Sequence, residues 1–213
     1  MDFNPTSIRN IVFDLGGVVI DLRREQAVEA YRELGLKNAD ELLGLYRQEP
    51  PFLWLETGEV TEAEFFDRLR PLCNGADDRT MARAFSLFLE GIPTKRLERL
   101  RALREKGLRL YVLSNTNPVM YNGWIAEAFR AEGLSINDYF DGIVCSFQEL
   151  TCKPAPEIFE RVLRRYGLKG EETLMLDDSI ANCKAARSVG MRAACVGKDT
   201  TDDMLALTDI FLL

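Results

Sequence analysis

The sequence predicts an α/β fold, a Rossmann-like, doubly wound parallel sheet with an inserted α-helical cap. Short runs dense in Val, Ile, Leu, Phe, Tyr or Cys recur at 10–14, 109–114, 142–146, 173–177 and 193–197, as buried strands do. Helical patterns lie between most of them, and strand, helix, strand with short links implies right-handed parallel crossovers. The interval 22–90 breaks that rhythm, because it holds helical spacing but no convincing strand.

Taken in order, the run Asn10-Ile11-Val12-Phe13 gives way to Asp14-Leu15-Gly16-Gly17. The stretches 23–34, 39–47, 61–70 and 77–89 then place apolar residues at helical spacing, separated by Gly35, Pro50-Pro51, Gly58 and Pro71 to Gly75. Residues 94–106 present Leu97, Leu100 and Leu103 on one face, and further helices are expected over 157–166 and 180–189. Gly107, Gly167 and Gly190 stand where these three should stop. The expected division is a core of 1–21 with 91–213 and a helical cap of 22–90 inserted after the first strand.

A chain of 213 residues is long enough for one sizeable core, or for a core with a smaller insert. A formal charge of −7 with pI near 4.9 lacks the basic excess that phosphate-backbone binding draws on, so nucleic acid is not an expected partner. There is no histidine, which removes Ser-His-Asp and Cys-His schemes and the commonest ligand for zinc, copper or iron. Carboxylate, hydroxyl and lysine chemistry with a hard cation such as magnesium remains. The five cysteines, at 73, 145, 152, 183 and 195, have no zinc-type spacing and read as reduced thiols. The early apolar stretch 11–20 is interrupted by Asp14 and follows no basic segment, so neither a signal peptide nor a membrane span is expected. The expectation is a cytoplasmic protein, a monomer or weak homodimer, acting on a small phosphorylated metabolite.

In an open parallel sheet the carboxyl ends of the strands share one crevice. Asp14, Ser114-Asn115-Thr116, Lys153 and Asp177-Asp178 all follow or end such runs, and together they are a phosphoryl-transfer set. Each has a plainer reading alone. Taken alone, Asp14 reads as a turn or helix cap, Asp178 or Ser179 as the N-cap of the next helix, and Lys153 as solvated surface. Gly16 and Gly17 favour the functional reading, because glycines let backbone approach a ligand and expose amides to an anion.

Phe13-Asp14-Leu15-Gly16-Gly17-Val18, Leu113-Ser114-Asn115-Thr116-Asn117, Lys153-Pro154-Ala155-Pro156-Glu157-Ile158-Phe159, and Leu176-Asp177-Asp178-Ser179 with Asn182 resemble the four motifs of the haloacid dehalogenase superfamily. The likeness is to its helical-cap phosphatases, in particular bacterial members acting on sugar phosphates such as glucose 1-phosphate. The resemblance implies that Asp14 attacks phosphorus. It implies that magnesium is held by the Asp14 carboxylate, the Gly16 carbonyl and Asp178, with Asp177 as a second metal-shell carboxylate. Ser114 and the Asn115 amide would hold phosphate oxygens, and Lys153 would stabilise Asp14 and the transferring group.

The family pattern has a second aspartate two residues after the nucleophile, acting as general acid and base. Here that position is Gly16, which has no side chain to move a proton. Such assistance is typically worth about 10²–10⁴-fold. Either the leaving group is stable enough to need little protonation, or another carboxylate substitutes, with Asp21 and Glu56 as candidates. Trp54, Glu56 and Gly58, in the middle of the cap, are candidate substrate contacts along with Asp21, although an aromatic stripe there is more often cap core. Two rival classes remain, a metal-free dehalogenase and a catalytically silent phosphate- or partner-binding protein.

Overall fold

A computed structural model of the chain describes residues 4–197 and 203–213. Seven strands occur among them: β1 (Asn10–Phe13), β2 (Asp21–Leu22), β3 (Leu89–Gly91), β4 (Arg109–Ser114), β5 (Gly142–Cys145), β6 (Thr173–Asp177) and β7 (Arg192–Cys195). Five form one parallel sheet in the order β5-β4-β1-β6-β7. All four residues of β1 are buried, as expected for a central strand covered by helices on both faces.

The period-two alternation of a strand divides the core between those faces. Val12, Tyr111, Leu113 and Met175 point to one side, where Ile158, Phe159 and Val162 of the helix Pro156–Tyr166 cover them. Ile11, Phe13, Val112 and Leu176 point to the other and join a cluster that includes Leu97, Leu100 and Leu103 of the helix Thr94–Glu105. Truncating one of these buried leucines to alanine typically costs about 2–5 kcal/mol. The chain leaves β1 through neighbours on either side, β4 and β6, so the strand order reverses at β1 and a crevice opens beyond its carboxyl end.

Between β2 and β3 lie five helices, Arg24–Glu33, Ala39–Leu42, Phe52–Glu56, Glu62–Leu69 and Asp78–Ser86. Their apolar faces meet around Tyr31, Phe52, Phe65 and Phe85, whose rings pack edge to face at centroid distances of 5.1 to 5.3 Å about Phe52. The Tyr31 hydroxyl, which must find an acceptor when buried, donates to the Met81 carbonyl at 2.9 Å. A capping box at Thr61 and Glu64 starts the helix Glu62–Leu69.

The sequence reading had no strand in 22–90, yet β2 and β3 pair antiparallel where the insert leaves and rejoins the core. They are two and three residues long and lie far apart in sequence, so no local periodicity betrays them. No helix of the described residues is long and apolar enough to cross a membrane.

Candidate active site

β1 delivers Asp14 to the crevice, since the Asp14 N–H still donates to the Leu176 carbonyl at 2.9 Å as an extension of the ladder. Beyond it the chain turns sharply, and the N–H groups of Val19 and Ile20 both donate to the Leu15 carbonyl. Asp14 Oδ1 accepts from the Leu15 N–H at 2.7 Å, and Oδ2 lies 2.9 Å from Lys153 Nζ. Gly17 has φ +71°, and a Cβ there would stand 2.6 Å from Asp178 Oδ2. Its bare backbone is what lets the Asp178 carboxylate fold back against the β1 turn. Gly16 carries no such restriction, because the nearest atoms a Cβ there would meet are those of the Leu22 side chain, at 3.4 Å.

β4 ends at Ser114, which is buried and lines the crevice. The Asn115 side chain is committed to the loop beside it, donating to the Lys153 carbonyl at 2.9 Å and accepting from the Lys153 N–H at 2.8 Å. That reciprocal pair fixes the backbone from which the Lys153 side chain projects, and the Lys153–Pro154 peptide is cis. The ammonium sits between two carboxylates, 2.7 Å from Asp177 Oδ2 and 2.9 Å from Asp14 Oδ2. Burial alone would lower the Lys153 pKa, but Asp14 and Asp177 together outweigh it and the pKa is raised, so the group stays charged.

Asp177, at the end of β6, is fully buried and has both oxygens engaged. Oδ2 accepts from Lys153, and Oδ1 accepts from the Ser179 N–H and Asn182 Nδ2, each at 2.9 Å. Asp178 follows in the turn and lines the crevice with Asp14. Asp14, Asp177 and Asp178 each offer a carboxylate oxygen, and these lie within 4.8 Å of one another. Burial pushes Asp14 up to about 7 despite Lys153, and Asp177 and Asp178 add to the rise. Three carboxylates facing one ammonium carry excess negative charge, and every donor is a hard oxygen. The set therefore fits a divalent cation such as magnesium.

The crevice above these groups has ≈ 780 Å³ of empty volume, part of it open to solvent, the size of a small-molecule site. Ile20, Leu22, Gln48, Glu56, Phe85 and Phe88 are among its lining residues. Of the four residues expected to touch substrate, Glu56 is the one that reaches it. Asp21 instead pairs with Arg96 at 2.7 Å, because strand alternation sends Ile20 and Leu22 to the cavity and Asp21 the other way. The Trp54 ring lies under Arg68, 5.0 Å from the guanidinium carbon. Gly58, with φ +71°, abuts the Phe147 carbonyl, which a side chain there would strike. Its role in the structure is close packing of the insert on the core.

Sequence reasoning missed Ser146. Its buried hydroxyl accepts from the Thr116 N–H at 3.0 Å and lies 2.8 Å from the Glu56 carbonyl and 2.9 Å from that of Thr116, tying the insert to the crevice floor. Gln48, Phe85 and Phe88 were also missed as cavity residues; Phe85 and Phe88 at i and i+3 carried a faint helical signal, and Gln48 carried none.

A profile of haloacid dehalogenase-like hydrolases matches residues 8–190. A D-ribitol-5-phosphate phosphatase of Bacteroides thetaiotaomicron is 37% identical over 186 residues, which cover 86% of this chain and 89% of that protein. The crystal structure of a HAD family enzyme from the same organism, in complex with magnesium and inorganic phosphate, superposes with a TM-score of 0.82 at 36% identity over 89% of this chain and 94% of that one. A predicted HAD-like family hydrolase of Porphyromonas gingivalis superposes with a TM-score of 0.83 at 32% identity over 96% of this chain and 98% of that one. With the matched profile spanning most of its length and the sheet, turn and carboxylate cluster in place, this chain belongs to the haloacid dehalogenase-like hydrolase family.

Proposed function

We propose that the protein is a magnesium-dependent phosphatase that hydrolyses a small sugar or sugar-alcohol phosphate through an aspartyl-phosphate at Asp14. The observation that carries this is the placement of the Asp14 carboxylate at the crevice floor, against Lys153 and within reach of Asp178. In the first step an Asp14 oxygen attacks phosphorus and the ester oxygen departs. Lys153, held between Asp14 and Asp177, balances negative charge on the nucleophile and the transferring group, while Ser114 and the backbone N–H of Asn115 donate to phosphate oxygens. Water then attacks the phosphorus and frees Asp14.

Asp14, Asp178 and the Gly16 carbonyl would hold the ion, with Asp177 behind them orienting Lys153. Magnesium, when bound, supplies the charge neutralisation that lets an anionic nucleophile approach an anionic ester. The helices of 22–90 serve as the cap that covers the leaving part of the substrate and excludes water.

The substrate class rests on the cavity and on the relative's named substrate, a pentitol phosphate. Gln48 and Thr116 line the cavity, and Gln48 Oε1 and Thr116 Oγ1 are buried without a partner among the described residues. A hydroxyl-bearing leaving group would satisfy both. All five cysteines are free thiols, which suits a reducing compartment such as the cytoplasm. Phosphate release from a panel of sugar and polyol phosphates tests the reading. Turnover with magnesium, abolished by chelation and by Asp14→Asn, is the expected result; full activity of Asp14→Asn or of the chelated protein would overturn it.

A further inference from the structure

The missing acid at Gly16 leaves the leaving oxygen without a proton source on the β1 turn, and the same cavity offers another carboxyl, beside the loop that carries Lys153. We infer that Glu56, which the helical insert contributes to the crevice lining, is the general acid and base of the reaction. The inference rests on the phosphatase reading and assigns its proton transfers.

Glu56 ends the helix Phe52–Glu56 and is only 9% exposed, yet it lines the same cavity as Asp14, Ser114 and Lys153. Its position is fixed from the core. The Ser146 hydroxyl lies 2.8 Å from its carbonyl and binds the Thr116 N–H just past Ser114, and Gly58 two residues on is pressed against Phe147. The side chain has no ion-pair partner among the described residues. Its hydrogen-bond neighbour is the Cys152 thiol, with Sγ 3.8 Å from Oε1. A carboxyl so placed is free to exchange a proton with substrate. Burial pushes it up to about 7, with Cys152 and Lys153 pulling weakly the other way, so both protonation states are accessible near neutral pH. Asp21, the other carboxylate near the turn, is occupied by Arg96 and points away.

The steps balance. As Asp14 bonds to phosphorus, the ester P–O bond breaks and its electron pair stays on the leaving oxygen, which takes the Glu56 proton and departs as an alcohol. The Glu56 carboxylate then removes a proton from water as the water oxygen attacks phosphorus. The acyl–phosphate bond breaks, Asp14 regains its charge, and Glu56 is again protonated.

Glu56→Gln keeps the shape and removes the proton, and two esters separate its chemistry from mere packing. An alkyl phosphate needs a protonated leaving group, whereas p-nitrophenyl phosphate releases a stable phenolate. The variant should lose about 10²-fold or more in kcat/KM on the alkyl ester. On the aryl ester kcat/KM should stay within about threefold while kcat falls, giving a burst of nitrophenolate followed by slow turnover as the phospho-enzyme waits for a base. Equal losses of kcat/KM on both esters, or no loss on the alkyl ester, would overturn the assignment and leave the phosphatase reading standing. If the variant does not fold, the wild-type enzyme decides: a shallow dependence of kcat/KM on leaving-group pKa supports a general acid, and a steep one refutes it. A wild-type protein that releases phosphate from neither ester refutes both readings.

Discussion

Glu56 and Gly17 show how single positions can be tuned against the stability of the whole. The folded protein holds the Glu56 proton more tightly than the unfolded chain does, with a pKa near 7 against an ordinary 4.5. Between those values the folded state binds more protons, so this group lowers stability as pH rises from 4.5 to 7, and the full cost applies above 7. Replacing Glu56 with Gln removes that cost. The variant should match wild type in denaturant unfolding at pH 4 and exceed it at pH 8, by at most on the order of 3 kcal/mol; a variant less stable than wild type at pH 8 would mean the carboxylate has a partner that this geometry lacks. Gly17 works in the opposite sense. Alanine there must adopt φ +71° and push its Cβ into Asp178, so Gly17→Ala should cost about 1–3 kcal/mol and raise the magnesium concentration needed for activity. Gly16→Ala, with room for a Cβ, serves as the control, and equal behaviour of the two would contradict the steric argument.

At the scale of elements, strands and long helices were legible because their burial is continuous or periodic. β1, β4 and β6 are apolar runs buried on both faces, and Leu97, Leu100 and Leu103 announce their helix by spacing alone. The stretch between β4 and β5 was not legible. It is broken into short turns, Pro118–Met120, a π-helical turn at Tyr121–Ile125, Ala126–Ala128 and Ile136–Tyr139, each too brief to show a period. The helix Phe52–Glu56, five residues long, escaped for the same reason, although it carries Glu56. Lys153 and the carboxylates could be named because each stands at the end of an apolar run or in a recognisable motif. Ser146 opens a four-residue helix, and nothing local says that its hydroxyl will meet a carbonyl 90 positions earlier. Ser146→Ala should leave the Thr116 N–H without its acceptor, cost about 1–3 kcal/mol, and lower kcat/KM for the alkyl ester by loosening Glu56. Unchanged unfolding and kinetics would show that water replaces the hydroxyl freely.

Across the whole molecule the division of labour follows topology. The parallel sheet gathers Asp14, Ser114 and Asp177 at one edge because all its strands run the same way, and the loop after β5 brings Lys153 to them. The helical insert returns to that edge through β2 and β3 and lowers apolar residues, Gln48 and Glu56 over it. In the proposed reaction the sheet edge receives the phosphoryl group and the insert receives whatever carries it, with Asp14, the proposed nucleophile, where they meet. Rapid acid quench of the enzyme during turnover of a good substrate, followed by peptide mapping, tests this most directly. A phosphoryl group on the peptide containing Asp14, absent in Asp14→Asn, is the predicted result; turnover with no acyl-phosphate, or with the label on another residue, would contradict it.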